Sequence, residues 1–145
     1  MRIKRWVALV LSLVLFLGCG YTLCADSPLV ATFLNVGQGD CIWLKTPDGQ
    51  DVVIDGGIES QGPNVLSYLQ AHGVTDIEVI VLSHPDADHV GGLVTLLQSV
   101  PVALVVHNGQ TSTSAVYQRF TNAIQARAVP TLIVRAGQTF SWGPV

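Results

Sequence analysis

The chain has 145 residues, enough for one domain with a hydrophobic core. All ten acidic residues but only four of the seven basic residues follow residue 25, so that part of the chain has a formal charge of −6. This balance argues against a general nucleic-acid-binding protein. Cys41 is the one cysteine beyond residue 25, which argues against a disulfide network.

The first 25 residues have the pattern of a secretory signal peptide. Arg2, Lys4 and Arg5 form a positive start, and the uncharged apolar run at 6–17 is too short for a confident membrane span. We therefore expect the protein to be exported to the periplasm or the extracellular space, with its domain covering 26–145.

The same segment leaves other outcomes open. Residues 16–19, Phe-Leu-Gly-Cys, loosely resemble a bacterial lipoprotein cleavage site, which would place a lipid on Cys19. Otherwise cleavage falls near Gly20 or Ala25, or the apolar run extends to Leu23 and stays as an anchor. Membrane contact is expected only through this segment, and no protein partner is predicted.

The next part of the sequence predicts a meander of three strands, at 29–36, 41–45 and 51–54. The turn at 46–49, Thr-Pro-Asp-Gly, has proline second and glycine fourth, which suits a type I turn. Cys41 alternates within an apolar strand, so we interpret it as a small buried hydrophobe rather than a nucleophile.

From residue 63 onward, helical and strand patterns alternate. The predicted helices cover 63–72, 90–100 and 114–127, and the predicted strands cover 77–82, 102–106, 131–134 and 139–145. The resulting order, βββ-α-β-α-β-α-β-β, is typical of an α/β sheet protein.

Two imidazoles and two carboxylates lie within six residues directly after the strand at 77–82. In an extended chain, residues two apart point the same way, so His84 and Asp86 can converge on one ion. Asp88 and His89 lie side by side where the chain turns into a helix, and they can face a second position. Buried without a cation, the two carboxylates would repel each other. Open α/β sheets bind ligands at such strand ends, so the loop predicts a divalent-metal site.

A simpler alternative is a solvated polar turn in which Asp86 and Asp88 cap the following helix. Asp88 alone would be unremarkable as an N-cap. The complete pattern, followed by Gly91 and Gly92, favours the metal site, because the two glycines let the backbone pack tightly behind the loop.

The run at 83–92, SHPDADHVGG, resembles the His-x-His-x-Asp-His metal motif of the metallo-β-lactamase superfamily, with Asp86 in place of the second histidine. Together with FLNVGQGD at 33–40 and DGG at 55–57, this variant is similar to the hydrolase domain of competence (DNA-internalisation) proteins and their free-standing secreted relatives. The resemblance runs from about Val30 to the last residue.

The resemblance implies an αββα sandwich, in which two mixed sheets face each other with helices outside. The segment order fits its first half and part of the second. The resemblance also implies two divalent metal ions, zinc or manganese. His84 and Asp86 would hold one ion, and Asp88 and His89 would hold the other.

Other roles follow from the same resemblance. Asp55 would support the metal loop through hydrogen bonds rather than bind metal. Asp40 would lie near the site as a further supporting residue, or it is a simple turn residue. Asp88 would act in catalysis by orienting the attacking water, as well as binding metal. A carboxylate at Asp86 makes the site harder, so manganese or magnesium competes better with zinc.

The family pattern also requires ligands that this sequence does not supply: a downstream histidine, a bridging aspartate and a last histidine. After His89 the sequence has one histidine, His107, and no acidic residue. His107 follows too closely for the usual third ligand, so it either borders the cleft or is a partly buried polar residue. We therefore expect a carboxyl-terminally truncated domain whose second metal position is incomplete in this chain.

Three functions remain open at this point. The first is an exported metal-dependent hydrolase acting on DNA or another phosphodiester, where two ions about 3.5–4 Å apart would stabilise an in-line displacement. The second is an ester, lactone or lactam hydrolase of the same fold, which the acidic charge favours because such substrates need no basic groove. The third is a non-catalytic binding domain or an inactive truncation, which the missing ligands favour.

Overall fold

A computed structural model describes residues 27–139. The signal-peptide and lipidation predictions fall on residues outside this range. In chain order, the elements are β1 (Val30–Phe33), β2 (Ile42–Lys45), β3 (Asp51–Ile54), a 3₁₀ turn (Glu59–Gln61), α1 (Gly62–Ala71), β4 (Ile77–Leu82), α2 (Ala87–Ser99), β5 (Val102–His107), α3 (Ala115–Ala126) and β6 (Thr131–Ile133). Among these residues, no helix is both long enough and apolar enough to cross a membrane.

The six strands form one sheet in the order of the sequence, β1-β2-β3-β4-β5-β6. The first three pair antiparallel, because short turns connect them, and β3 to β6 pair parallel, because a helix connects each strand to the next. The carboxyl ends of β3, β4 and β5 therefore meet at one edge of the sheet, and this edge carries the predicted metal loop.

All three helices contribute to one hydrophobic core on the same face of the sheet. Strand–helix–strand connections are right-handed, and a parallel series that runs in one direction places its helices on one side. The largest fully buried side chains include Leu69 of α1, Leu93 and Leu97 of α2, and Phe120 of α3. The core thus fixes α2, whose first turn belongs to the metal loop, against the sheet.

The opposite face of the sheet is also apolar. Val52, Val79 and Val106 are buried there, with partly buried Leu44 and Leu104 beside them. In the sandwich that the resemblance implies, this face meets the second sheet. Within residues 27–139 the structure describes one six-stranded sheet.

The predicted α/β class is confirmed, and β3 and β4 have the predicted bounds. Helix α2 begins at Ala87 instead of residue 90, and β1 ends at Phe33 instead of residue 36. Apolar spacing in α2 starts only at Val90, because the polar residues of its first turn face the loop. The strand predicted for 139–145 lies almost entirely beyond the described residues.

Cys41 is buried, as predicted. Burial, and to a smaller extent the nearby charge of Asp55, raises the pKa of its thiol to about 12. The thiolate is therefore scarce near neutral pH, which agrees with a packing role and not with that of a nucleophile.

Candidate metal centre

The predicted metal loop is the connection between β4 and α2. Its main chain bends at Ser83 and is extended at Asp86, the N-cap of α2, with φ −71° and ψ 148°. The Asp86 side chain makes no capping hydrogen bond, so the capping alternative does not hold for this residue. Its carboxylate is exposed and lies 3.4 Å (Oδ2) from Nε2 of His84. His84 and Asp86 therefore converge as their spacing predicted.

His89 lies in the first turn of α2, and its ring centroid is 3.9 Å from that of His84. Asp88 lies in the same turn, where Gln38 donates a hydrogen bond from Nε2 to Asp88 Oδ2 at 3.2 Å. Hydrogen bonds from its own backbone and from Gln38, and then the nearby His89 and His84, lower the pKa of Asp88. The lowered pKa favours the carboxylate form of Asp88 beside the two imidazoles.

Asp55 connects the end of β3 to this loop. It is 2% exposed, and its φ of 57° lies in the left-handed region, which few non-glycine residues adopt. Its carboxylate accepts from the Ser83 backbone N–H at 2.9 Å, from Ser83 Oγ at 2.5 Å and from His89 Nδ1 at 2.9 Å. These three hydrogen bonds are what the predicted supporting role requires.

Asp40, Asp55 and His89 form the one group of three metal-type side chains within residues 27–139 whose ligand atoms all lie within 4.8 Å of one another. Both carboxylates approach the same nitrogen of His89: Nδ1 is 2.9 Å from Asp55 and 3.9 Å from Asp40. A cation between them would have to replace the hydrogen bond from His89 to Asp55. We therefore interpret this group as the support of His89, whose Nε2 keeps its lone pair for a metal.

Glycines allow the three sequence motifs to pack together. A Cβ on Gly39 would lie 1.7 Å from the Asp88 carbonyl oxygen, and one on Gly92 would lie 2.0 Å from the Gly56 carbonyl oxygen. Hydrogen bonds from Gly56 N–H to the His89 carbonyl and from Gly92 N–H to the Gly57 carbonyl connect the same segments. The predicted close packing behind the loop is therefore present.

His107 ends β5 and is paired in register with Leu82, directly before the metal loop. It is half-buried, and its Nδ1 accepts a hydrogen bond from the Gly109 backbone N–H at 3.2 Å. Burial, and then the charge of Arg135, lowers its pKa. It lies at the edge of the sheet that carries the metal loop, but outside the group of converging ligand atoms.

The four predicted ligands fall into two arrangements. His84 and Asp86 approach each other directly, whereas Asp88 and His89 are held separately, by Gln38 and Asp55. The donor set of two imidazoles and two carboxylates suits zinc or manganese. Both imidazoles have a partner on Nδ1, so the residues present fit a divalent ion.

Sequence reasoning missed three residues at this edge: Gln38, Ser83 and Asn108. Asn108 Nδ2 donates to the Ser83 carbonyl oxygen at 2.8 Å, which connects the end of β5 to the loop after β4. Gln38 lies within the motif at 33–40 and Ser83 within the motif at 83–92, but neither has a side chain typical of a metal ligand. Asn108 follows the neighbouring parallel strand, so the rule that such strand ends meet would have found it.

Comparison with known proteins identifies the class to which this fold and site belong. The model of the metallo-beta-lactamase superfamily matches residues 34–128, well over half of the chain. The chain therefore belongs to the metallo-beta-lactamase superfamily. Members of this family bind divalent metal ions, usually zinc.

Two relatives indicate which kinds of superfamily member this chain resembles. Recombination protein 2 of Haemophilus influenzae is 32% identical over 95 residues, which cover 62% of this chain and 12% of that protein. Hydroxyacylglutathione hydrolase of a Synechococcus species is 36% identical over 77 residues, which cover 53% of this chain and 29% of that protein. The chain thus spans less than a third of either relative. The first relative supports the competence-type branch that the motifs indicated.

Solved structures agree on the fold. A metallo-beta-lactamase of Cronobacter sakazakii with a HARLDQ motif has a TM-score of 0.52 and 21% identity, covering 78% of this chain and 46% of that one. A putative metallo-beta-lactamase of Thermotoga maritima has a TM-score of 0.52 and 12% identity, covering 79% and 59%. At these identities the likeness concerns the fold alone, and it confirms the predicted metallo-β-lactamase-like class.

Proposed function

We propose that the protein is an exported, metal-dependent hydrolase that cleaves DNA or another phosphodiester. The observation that carries the proposal is the distance of 3.4 Å between Asp86 Oδ2 and His84 Nε2. The Asp86 carboxylate is exposed and makes no capping hydrogen bond to α2. A carboxylate at this position favours harder ions such as manganese, which suit the oxygen-rich surroundings of a phosphodiester. The likeness to Recombination protein 2 also supports this proposal.

The chain's own residues have distinct tasks in this proposal. His84 and Asp86 would hold one divalent ion, and Asp88 and His89 the second. The ions would supply Lewis-acid stabilisation of the attacking and leaving oxygens. Asp88, kept anionic by its hydrogen bonds, would orient the attacking water and accept a hydrogen bond from it at a carboxylate oxygen.

Export and the partners belong to the same proposal. The positive start and apolar run of residues 1–25 support export. A nucleic acid or a small phosphodiester would be the substrate, and any membrane contact would come from the amino-terminal segment or from a lipid on Cys19.

The test is hydrolysis of plasmid DNA and of bis(p-nitrophenyl) phosphate by the full-length protein, with and without Mn²⁺ or Zn²⁺. We expect metal-stimulated cleavage and a loss of at least about 100-fold in Asp88→Asn, within the range for removing a catalytic acid–base group. Asp76→Asn, at an exposed aspartate before β4, is the matched control and should keep full activity. A metal-replete protein that leaves both substrates intact would refute the phosphodiester assignment.

A second candidate is hydrolysis of an ester or thioester. It is favoured by the 36% identity to a hydroxyacylglutathione hydrolase and by the small number of basic side chains that could contact phosphates. Lys45 is paired with Asp51 and Arg119 with Glu59, so neither forms a groove for phosphates. Turnover of hydroxyacylglutathione, with no turnover of phosphodiesters in the same assay, would select this candidate.

A further inference from the structure

We propose that the Ser83 hydroxyl relays the charge of Asp55 to His84, so that one buried carboxylate sets the tautomer of both motif histidines. In this arrangement His84 and His89 each carry a proton on Nδ1 and present Nε2 toward the metal position. The inference deepens the proposed function, because it assigns a positioning residue to the same metal site.

The relay depends on where Ser83 Oγ lies. The oxygen is 2.5 Å from Asp55 Oδ2 on one side and 2.9 Å from His84 Nδ1 on the other. Both distances are within hydrogen-bond range, so the hydroxyl bridges the carboxylate and the imidazole.

The direction of each hydrogen bond follows from counting protons. A serine hydroxyl has one proton to donate, and an ionised carboxylate can only accept. Ser83 must therefore donate to Asp55, because the reverse orientation would leave two oxygens in contact with no hydrogen between them. The Ser83 oxygen then accepts from His84 Nδ1, which places the ring proton on Nδ1 and leaves the Nε2 lone pair free.

Asp55 sets the tautomer of His89 directly, with no hydroxyl group between them. Its Nδ1 lies 2.9 Å from Asp55 Oδ2, the oxygen that also accepts from Ser83. One carboxylate oxygen is thus connected to both imidazoles, directly to one and through a hydroxyl to the other. The two rings lie side by side, with centroids 3.9 Å apart, as expected of ligands that serve neighbouring metal positions.

The main chain keeps Ser83 in place for this task. Its N–H donates to Asp55 Oδ1 at 2.9 Å, and its carbonyl oxygen accepts from Asn108 Nδ2 at 2.8 Å. The Asn108 side chain is itself oriented, because its Oδ1 accepts from the Gln110 backbone N–H at 2.8 Å. Ser83 is therefore fixed from β3 and β5 at once, and its hydroxyl has little freedom to turn elsewhere.

The direct test is the tautomer of His84 in the metal-free full chain, read from ¹⁵N–¹H NMR of the imidazole nitrogens at a pH where the ring is neutral. We expect Nδ1–H for His84 in the wild type and in Ser83→Thr, which keeps the hydroxyl. In Ser83→Ala we expect His84 to lose this preference while His89 keeps it, because the hydrogen bond from His89 to Asp55 is direct. Ser67→Ala, at an exposed serine of α1, is the matched control and should leave both rings unchanged.

Metal affinity gives a second readout. Loss of an outer hydrogen-bond partner typically weakens metal binding by about 10–100-fold, and we expect this for Ser83→Ala, with Ser83→Thr restoring most of the affinity. An unchanged His84 tautomer in a folded Ser83→Ala variant would overturn the relay. If that variant fails to fold, an Nε2–H tautomer of His84 in the wild type would overturn it equally. If the wild type binds no metal, the proposed function fails, and the metal-free tautomers still decide the relay.

Discussion

At the residue scale, the side chain of Asp55 makes more hydrogen bonds than that of any predicted ligand, although we assign it no metal. Its carboxylate compensates for burial by accepting three hydrogen bonds, from two donors of Ser83 and one of His89. Its left-handed backbone places the carboxylate under the loop as β3 ends. Asp55 thus supports the metal loop from beneath. Ser83, the partner nearest to it in sequence, lies 28 positions later.

We predict that Asp55→Asn reduces both stability and metal affinity. An amide cannot accept all three hydrogen bonds, so the free energy of unfolding should fall by about 1–3 kcal/mol. Metal affinity should fall by about 10–100-fold, because His89 loses its orienting partner. Chemical denaturation and calorimetric metal titration measure the two effects.

Asp51→Asn is the matched control for this experiment. Asp51 is also buried and accepts from Trp43 Nε1 and Lys45 Nζ, at 2.8 Å each, but it does not contact the metal loop. It should lose comparable stability and keep its metal affinity. Equal losses of affinity in the two variants would show that affinity merely follows stability.

A second prediction concerns Arg135 and His107. The pKa of His107 is lowered first by burial and then by the charge of Arg135, so Arg135→Gln should raise it toward its ordinary value while burial still holds it below. Because the folded pKa lies below the unfolded one, the wild type loses stability as the pH falls below the unfolded value, and the variant should lose less. NMR titration of the His107 ring measures the shift. Arg127→Gln, on a distant side chain that donates to the Val100 carbonyl, should leave it unchanged.

At the scale of elements, the contact between the DGG segment and the start of α2 holds the motifs together. In an exposed helix, replacing glycine by alanine stabilises a protein by up to about 1 kcal/mol. Gly92→Ala should instead destabilise this protein by about 1–3 kcal/mol, because the added methyl would meet the Gly56 carbonyl oxygen. Thermal or urea unfolding gives the sign, and a stabilised variant would contradict the close packing.

How far the sequence could predict the structure depends on which residues carry the pattern. β4 was predicted with its correct bounds because IEVIVL is apolar throughout, as a strand covered on both faces requires. The start of α2 was predicted three residues late, because Ala87, Asp88 and His89 serve the loop and show no apolar spacing. When functional polar residues occupy the first turn of a helix, the apolar spacing starts late, and the helix start is predicted too late.

The sequence predicted the contacts between residues close together in the chain, but it missed the contacts between distant residues. The approach of His84 and Asp86 follows from residues two apart in an extended chain. The contact between Gln38 and Asp88 joins residues 50 positions apart, and that between Asn108 and Ser83 joins residues 25 apart. The contact between Gln38 and Asp88 depends on the packing of α2, which no spacing rule contains. Asn108 and Ser83 meet because they follow neighbouring parallel strands, so the order of the strands in the sheet was enough to predict that contact.

At the scale of the whole molecule, charge separates this protein from a general nucleic-acid binder. Within residues 27–139 each basic side chain is already engaged: Lys45 and Arg119 in ion pairs, and Arg127 and Arg135 with backbone carbonyl groups. A DNA substrate would therefore be held mainly at the metal site and by few phosphate contacts.

We predict a shallow salt dependence for DNA binding. With about one phosphate neutralised by a side chain, the affinity should fall by about threefold to fourfold between 50 and 200 mM salt, against about 10³–10⁵-fold for a protein with 6–10 phosphate contacts. Fluorescence anisotropy with the metal-loaded wild type and a labelled, non-hydrolysable oligonucleotide measures this without cleavage. A steep dependence would contradict this prediction.

The central claim is that the loop between β4 and α2 is a divalent-metal site. The most direct test is calorimetric titration of the full-length protein with Mn²⁺ and Zn²⁺, compared with the double variant His84→Ala/Asp86→Ala. The claim predicts saturable binding by the wild type and a loss of at least about 100-fold in affinity in the folded double variant. Unchanged affinity in that variant, or no saturable binding by the wild type, would contradict it.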